Sequence, residues 1–378
     1  MSGRKCIGIL GGGQLARMSA YQAYKMGFDI AILEKHKDSP AGQLTHSEFV
    51  GWVDDNAVMK KFARRSNIIT LENEFVDYKR LEFLEKLGKK VLPASRTISL
   101  IQDKLIQKQT FRKNKIPVPG FVKVGKSDTY EKIASKIGGK FILKSRKMGY
   151  DGYGNASVKN KRSFEEGIKK LSSRHAELLA EEFINFKAEL AVMVVRTKKE
   201  IKTYPVVETI QKNHICHTVI APARVDKRIA RKAAAIAVDA VKAVKGYGIF
   251  GIELFLAKEG KVLLNEMAPR PHNSGHYTIE ACVASQFENH IRSVLDLPLG
   301  STEMVRPYAV MINLLGKREG WGVVDSYKTA LVDPDIHLHI YGKEKSRIGR
   351  KMGHITILGD NLNAILRKAR TIEKKISI

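Results

Sequence analysis

Short apolar runs alternate with amphipathic stretches through the first part of the chain. Cys6 to Leu10 reads as a buried strand, Gly11 to Gly13 as a tight turn, and Gln14 to Met26 as an amphipathic helix stopped by Gly27. Asp29 to Leu33 and Asn67 to Glu72 repeat the strand pattern, Asp77 to Leu87 makes a second helix closed by Gly88, and Val91 to Pro93 a short strand. The alternation predicts a parallel βαβ half-sheet, Rossmann-like, over residues 1–102.

Asp103 then caps a helix that begins at Lys104 and ends before Pro117 and Pro119, which mark a linker. Lys140 to Lys144 reads as a strand, and Met148 to Asn155 as a glycine-rich loop. Leu178 to Ile184, the run from Glu189, Tyr204 to Glu208 and Thr218 to Pro222 predict an antiparallel sheet. Asp226 caps a long helix to Lys245 whose stripe Ile229, Ala233, Ile236, Ala240 and Val244 is core packing. A further helix is expected from about Thr278 to Leu295, ended by Pro298. Residues 103–299 therefore read as an α+β unit. Residues 300–378, with strands at Ala309, His337 and His354, read as a small β-rich third unit. The fold class is α/β and α+β.

One stretch organises this pattern. Gly248 to Leu256 and Val262 to Glu266 flank Lys258-Glu259-Gly260-Lys261, a hairpin signature. A two-residue Glu259-Gly260 turn sets Lys258 against Lys261 and Glu253 directly opposite Glu266, on the same face. Facing carboxylates repel unless a cation sits between them. Arg270, His272, Asn273, Ser274 and His276 follow at once, a density of recognition groups that a structural hairpin does not need. The hairpin reads as a divalent-metal platform.

Composition narrows the field. The chain has 378 residues, 43% of them hydrophobic, and no apolar window long enough to cross a membrane. Cys6, Cys216 and Cys282 lie far apart without metal-type spacing, so reduced thiols in the cytoplasm are expected. The net charge of +27 attracts anions, but its lysines and arginines are dispersed and no nucleic-acid signature accompanies them, which argues against a specific nucleic-acid partner. His337-x-His339 lacks a third ligand and reads as exposed strand positions.

Two glycine features suggest phosphate. Gly11-x-Gly13-x-x-Ala16 after a strand, with Glu34 after the next, satisfies the dinucleotide fingerprint and keeps an NAD oxidoreductase as a rival. Any phosphate could use such a turn, and phosphate binding of some kind is expected there. The second is the loop with Gly149, Gly152 and Gly154, whose amides can close over phosphate oxygens while Lys144 supplies a point charge. That loop also carries Tyr150 and Asp151.

The order of lysine strand, glycine-rich loop, acidic strand and carboxylate hairpin resembles the ATP-grasp fold. Within it, Asp103-Lys-Leu-Ile-Gln-Lys-Gln, Lys144 with Gly149-Tyr-Asp-Gly-Tyr-Gly, Asn265-Glu-Met-Ala-Pro-Arg-Pro-His-Asn-Ser-Gly-His and Gly349-Arg-Lys-Met-Gly-His resemble the 5-(carboxyamino)imidazole ribonucleotide synthetase family of purine biosynthesis. The resemblance covers nearly the whole chain. It implies that ATP phosphorylates bicarbonate to carboxyphosphate, and that 5-aminoimidazole ribonucleotide takes up the carboxyl group.

By the same resemblance, Glu253 and Glu266 would hold Mg2+, with Asn273 a possible addition. Lys104, Lys144 and Asn265 would meet the ATP phosphates under a lid containing Gly149, Gly152 and Gly154. Glu181, Glu182, Phe183 and Ile184 would meet the adenine, and Glu189 the ribose. Tyr150, Asp151, Arg270 and Lys351 would be catalytic. Gln14, His272, Asn273, Ser274, His276, Arg350 and Lys351 would surround the imidazole nucleotide.

Two positions depart from the family pattern: Tyr153 replaces a basic residue and Gln211 a histidine, and neither joins the catalytic set. A homodimer is expected from the family. Ending at 378, the chain is expected to leave the downstream mutase to a separate protein. A formate-dependent glycinamide ribonucleotide transformylase is the nearest rival. The NAD reading leaves the hairpin and the Lys144 loop unexplained, and a nucleic-acid reading explains only the charge.

Overall fold

The structure, a computed structural model, describes residues 4–147, 149, 154–172, 177–212, 215–324 and 326–378. Five parallel strands form the first sheet. From edge to edge they are Glu48–Val50, Asp29–Glu34, Cys6–Leu10, Ile68–Leu71 and Lys90–Val91. Cys6–Leu10 is buried along its whole length, because helices cover both faces of a parallel sheet. This is the expected half-sheet with two elements added. The edge strand Glu48–Val50 and the helix Asn56–Arg65, capped by the Asp55 carboxylate, went unread because the strand is too short for a periodic signal.

The second sheet is small and antiparallel. Its order is Phe121–Val124, Leu178–Glu182, Phe141–Ser145 and Asn155–Val158. Helices Tyr130–Ile137 and Lys161–Ser172 bury Ile133, Phe164 and Leu171 against it. The third sheet has nine strands and begins with the hairpin Val262–Ala268 and Gly248–Ala257. Helix Lys227–Ala243 packs on it through Ala233, Ile236, Ala237 and Ala240, the face the periodicity predicted.

The expected third unit is built onto the large sheet. Ile215–Ala221 pairs with Tyr308–Leu315, which pairs with Lys351–Gly359 and then Ile336–Ile340. Residues 300–378 therefore extend the central sheet instead of building one of their own. Without that extension Ile215–Ala221 would be an open edge with unpaired amides. The C-terminal helix Leu362–Lys375, not expected from the sequence, covers the added strands with Ile365, Leu366, Ala369 and Ile372.

The helix expected over Thr278 to Leu295 is two helices, Thr278–Ala281 and Gln286–Val294. Ser285 starts the second by accepting from the Glu288 N–H at 3.0 Å, and Cys282 bridges to Met304 in the gap. Among the described residues no helix is long and apolar enough to cross a membrane.

Candidate active site

The hairpin fixes the floor of the site, by a different route from the one expected. Its loop spans three residues, 258–260. Ala257 donates to the Lys261 carbonyl at 2.9 Å, Gly260 donates to that of Ala257 at 3.0 Å, and Gly260 has φ +82°. Leu254 therefore pairs with Leu264, one residue out of the register of a two-residue turn. A bulge at Asn265 then restores the count, and Glu253 faces Glu266. The extra residue also turns the Asn265 carboxamide toward the Lys144 ammonium, 3.2 Å from its oxygen.

The electrostatics of the pair are unfinished. Burial, then Glu266, push the Glu253 carboxyl up to about 7. Glu266 stays below the ordinary carboxylate range because Lys104 beside it overcomes burial. The two side chains keep 38% and 36% exposure in an open cleft, so water tempers their repulsion. Among the described residues the contacts of Glu253 are long ones, to His272 Nε2 and Asn265 Nδ2, each at 3.5 Å. Two carboxylates and an amide oxygen are hard donors, and a half-buried acid pair short of positive charge fits Mg2+. Among the described residues no three His, Cys, Asp or Glu side chains form a ready metal cage. A cation there would draw its remaining ligands from phosphate oxygens and water, the usual habit of Mg2+.

The small sheet supplies the opposite wall. Lys144 donates to Glu181 Oε1 at 2.9 Å, and Lys108, one helical turn after Lys104, reaches Glu181 Oε2 at 3.0 Å. The Glu181 side chain is 3% exposed and committed to two ammonium groups, so its expected contact with adenine falls to its backbone groups. Those lysines outweigh burial and hold its carboxyl down to about 2. Glu182 Oε2 accepts from the Gly120 N–H at 2.9 Å, and Phe183, 49% exposed, and Ile184 form the rim.

Glu189 is half-buried, and burial raises its carboxyl while Gln211 hydrogen-bonds it, which accounts for the amide at that departing position. Gly154 (φ +91°) closes the loop base by accepting from the Ser145 N–H at 2.7 Å, and a Cβ there would lie 3.2 Å from the Gly149 Cα. Tyr150, Asp151, Gly152 and Tyr153 lie outside the described residues.

On the acceptor side, the Arg270 guanidinium grips Glu74 with two hydrogen bonds and holds that buried carboxyl low. The His272 Nδ1 accepts from Ser274, at 2.8 Å from its Oγ, which leaves Nε2–H toward Glu253. Three residues expected around the substrate are engaged or covered here. The Asn273 and Asn313 amides bond each other reciprocally at 2.8 and 2.6 Å. Ser274 and His276 are 1% and 0% exposed, beneath the surface that a ligand could reach.

The His276 Nδ1 accepts from Gln286 at 2.9 Å, and its ring lies 5.1 Å from that of His354. His339 stacks on His354 and pairs with Glu280 at 2.6 Å; His337 is exposed as expected. Lys351 and Arg350 are half-buried at the start of the strand Lys351–Gly359, and Gln14 begins the first helix, also half-buried.

The N-terminal glycine turn meets two carboxylates of the chain itself. Gly12 N–H donates to Glu34 Oε2 at 2.8 Å and Leu15 N–H to Glu72 Oε1 at 3.4 Å. Two internal carboxylates thus occupy these two amides, and Glu34, the acid of the dinucleotide fingerprint, is bound to its own glycine turn.

Sequence reasoning missed Lys108, Glu74 and Asn313. Only Lys108 had a local signal, its four-residue spacing from Lys104 on one helical face.

Three domain families match this arrangement in order. They are a ribonucleotide synthetase preATP-grasp domain over residues 4–102, an ATP-grasp domain over 109–287, and a phosphoribosylaminoimidazole carboxylase C-terminal domain over 309–368. Fold and site together define an ATP-grasp protein. Phosphoribosylaminoimidazole carboxylase of Ogataea methanolica is 43% identical over 97% of this chain and 69% of its own length. N5-carboxyaminoimidazole ribonucleotide synthase of Bacillus subtilis is 38% identical over 93% of this chain and 91% of its own. The crystal structure of the Aspergillus clavatus N5-carboxyaminoimidazole synthase in complex with ADP and 5-aminoimidazole ribonucleotide superposes with a TM-score of 0.89, at 34% identity and 99% coverage of both chains. The chain belongs to the N5-carboxyaminoimidazole ribonucleotide synthase family. It spans about two thirds of the length of the fungal and plant carboxylases it matches.

Proposed function

We propose that this protein is an ATP-dependent carbon–nitrogen ligase that carboxylates 5-aminoimidazole ribonucleotide with bicarbonate. Carboxyphosphate would form first, and the products would be N5-carboxyaminoimidazole ribonucleotide, ADP and phosphate. The observation that carries this reading is the facing Glu253/Glu266 pair, bordered by Lys104 and Lys144 on one side and continuous with the Arg270–His276 tail on the other. Family membership and the ADP and 5-aminoimidazole ribonucleotide held by the Aspergillus clavatus relative support it. Mg2+ bound at the pair supplies charge neutralisation to the phosphates.

The chain's own groups do the rest. Lys104 and Lys144 exchange their carboxylate partners for phosphate oxygens, and Asn265 orients Lys144. The adenine rests against the rim of Glu182 to Ile184 and the ribose against Glu189. The loop from Gly149 to Gly154 excludes water from an acyl phosphate that water would destroy. Arg270 and Lys351, with Arg350, His272 and Gln14, hold the nucleotide phosphate and ring, a doubly charged anion suited to arginine geometry and a lysine point charge. Asn273, Ser274 and His276 support that surface from below. Tyr150 and Asp151 keep their proposed place beside bicarbonate.

This reading divides the chain at 102/103 and 299/300 and places it as a cytoplasmic homodimer, with the carboxyl migration following as a mutase step. ADP release should require Mg-ATP, bicarbonate and 5-aminoimidazole ribonucleotide together. Release independent of the imidazole nucleotide sinks the assignment, and release with formate and glycinamide ribonucleotide reassigns it. Lys351→Ala should raise the Michaelis constant for the imidazole nucleotide roughly tenfold or more, and that for ATP far less.

A further inference from the structure

Glu181 is a single buried carboxylate shared by two lysines, and the sharing is unequal. Lys144 makes a hydrogen bond to Oε1 at 2.9 Å. Lys108 stands 3.0 Å from Oε2 in an ion pair whose alignment is poorer than that of the Lys144 bond. The Lys108 side chain is 2% exposed, and its Nζ also donates to the Leu264 carbonyl at 3.3 Å, beside the bulge. It therefore ties the small sheet to the metal hairpin from below, where no ligand reaches. Two ammonium groups to one carboxylate also leave this wall of the cleft with a surplus positive charge that an arriving anion completes.

We infer that Lys108 is a positioning residue for the nucleotide: it keeps Glu181 neutralised when Lys144 turns from Oε1 to a phosphate oxygen. The inference rests on the ATP chemistry proposed above. Without Lys108, releasing Lys144 would strand an ionised carboxylate in the interior, a cost large enough to keep Lys144 clamped where it is. The charge states agree with this division. Burial lowers the Lys108 ammonium to about 8 despite Glu181, while Lys144 is raised because Glu181, Glu266 and Glu253 outweigh its burial.

The test is calorimetric titration of Mg-ATP into the full chain and its variants, with 5-aminoimidazole ribonucleotide-dependent ADP release by the wild type measured in parallel. Lys108→Met should weaken Mg-ATP binding roughly tenfold or more. Adding Glu181→Gln to it should recover affinity to within about threefold of wild type, because the carboxylate that clamps Lys144 is then neutral. A packing role for Lys108 predicts the opposite, a double variant no better than the single one. Lys108→Arg, which keeps the charge, should bind within about threefold of wild type.

Wild-type affinity in Lys108→Met, or a double variant that binds no more tightly than it, overturns the inference. If Lys108→Met fails to fold, the double variant decides, and binding about tenfold weaker than wild type refutes it. A wild type that binds Mg-ATP but does not turn over the imidazole nucleotide overturns the acceptor assignment, and the binding comparison still decides the role of Lys108. A wild type that binds no Mg-ATP overturns both.

Discussion

The molecule contains two close pairs of carboxylates that solve the same electrostatic problem differently. At the N-terminal glycine turn, Glu34 accepts from the Gly12 and Lys35 amides, and Glu72 from the Leu15 amide and the Asn73 side chain. In the hairpin, Glu266 leans on Lys104, and Glu253 meets His272 and Asn265 only at 3.5 Å among the described residues. Burial raises one acid of each pair, Glu72 and Glu253, and the companion acid adds to it. The partners differ in kind. The first pair rests mainly on backbone amides of a rigid turn, which cannot leave, with Asn73 its one side-chain partner, whereas the lysine, histidine and asparagine side chains that meet the second can move to a new partner at the cost of some rotamer freedom. The first pair is closed structure. The second is a site, because its charge is met by groups able to let go.

The largest effect expected from this difference is on turnover. Glu266→Gln removes the charge that would face both Lys104 and the cation. Turnover should fall on the order of 10^3-fold, since metal-held charge stabilisation is worth several kcal/mol in the transition state. Mg-ATP binding should weaken while the melting temperature holds, measured by initial rates, calorimetry and thermal melts. Surviving turnover would remove the hairpin from the chemistry.

Acid should act first on the closed side. His290 reaches across to Thr70 on the strand that leads to Glu72, with its ring nitrogen 3.4 Å from the hydroxyl, and burial pushes that imidazole down to about 4. Its folded pKa lies below the unfolded value of about 6.5, so the unfolded chain takes up a proton that the native ring refuses. Stability is fully present above that value. It is lost as pH falls toward 4, by about 3 kcal/mol across the window. His276 and His354 are depressed in the same direction by burial and add to the loss. Denaturant melts at neutral and acid pH should show this slope, and His290→Leu should flatten it. An unchanged slope would mean that His290 takes no part in acid unfolding.

What could be read from the sequence follows the range of the forces involved. The parallel half-sheet was legible because caps such as Asp77 and breakers such as Gly27 and Gly88 act locally. The facing of Glu253 and Glu266 was foreseen through a two-residue turn, yet it arises from a three-residue loop and a compensating bulge at Asn265. A bulge answers to neighbouring elements, here the Pro117 carbonyl that takes the Leu264 N–H at 2.8 Å, and leaves no trace in periodicity. The break at Ser285 could have been seen in its Ser-x-x-Glu spacing. The merger of the last strands into the central sheet could not, because strand partners are chosen at long range. Glu74 and Asn313 were missed for the same reason: their partners Arg270 and Asn273 come from distant parts of the chain.

The smallest expected effect is the most direct test of whether the first pair is closed. Gly13 has φ −74° and ψ −165°, a conformation open to any residue, so Gly13→Ala brings no backbone strain. What it brings is a Cβ 2.3 Å from the Glu72 Oε1 and 2.9 Å from its Cδ. A free carboxylate would swing aside at little cost. Glu72 is anchored by the Leu15 amide and Asn73 in a half-buried setting, so moving it sacrifices hydrogen bonds that water replaces only in part. The substitution should destabilise the protein by about 1–2 kcal/mol. Mg-ATP affinity should be unchanged, because Lys104, Lys144 and the hairpin sit on other elements. A wild-type melting temperature would show that Glu72 moves freely and that the glycine turn is as open as the hairpin. Mg-ATP affinity that falls together with stability would show that the two carboxylate pairs act as one unit.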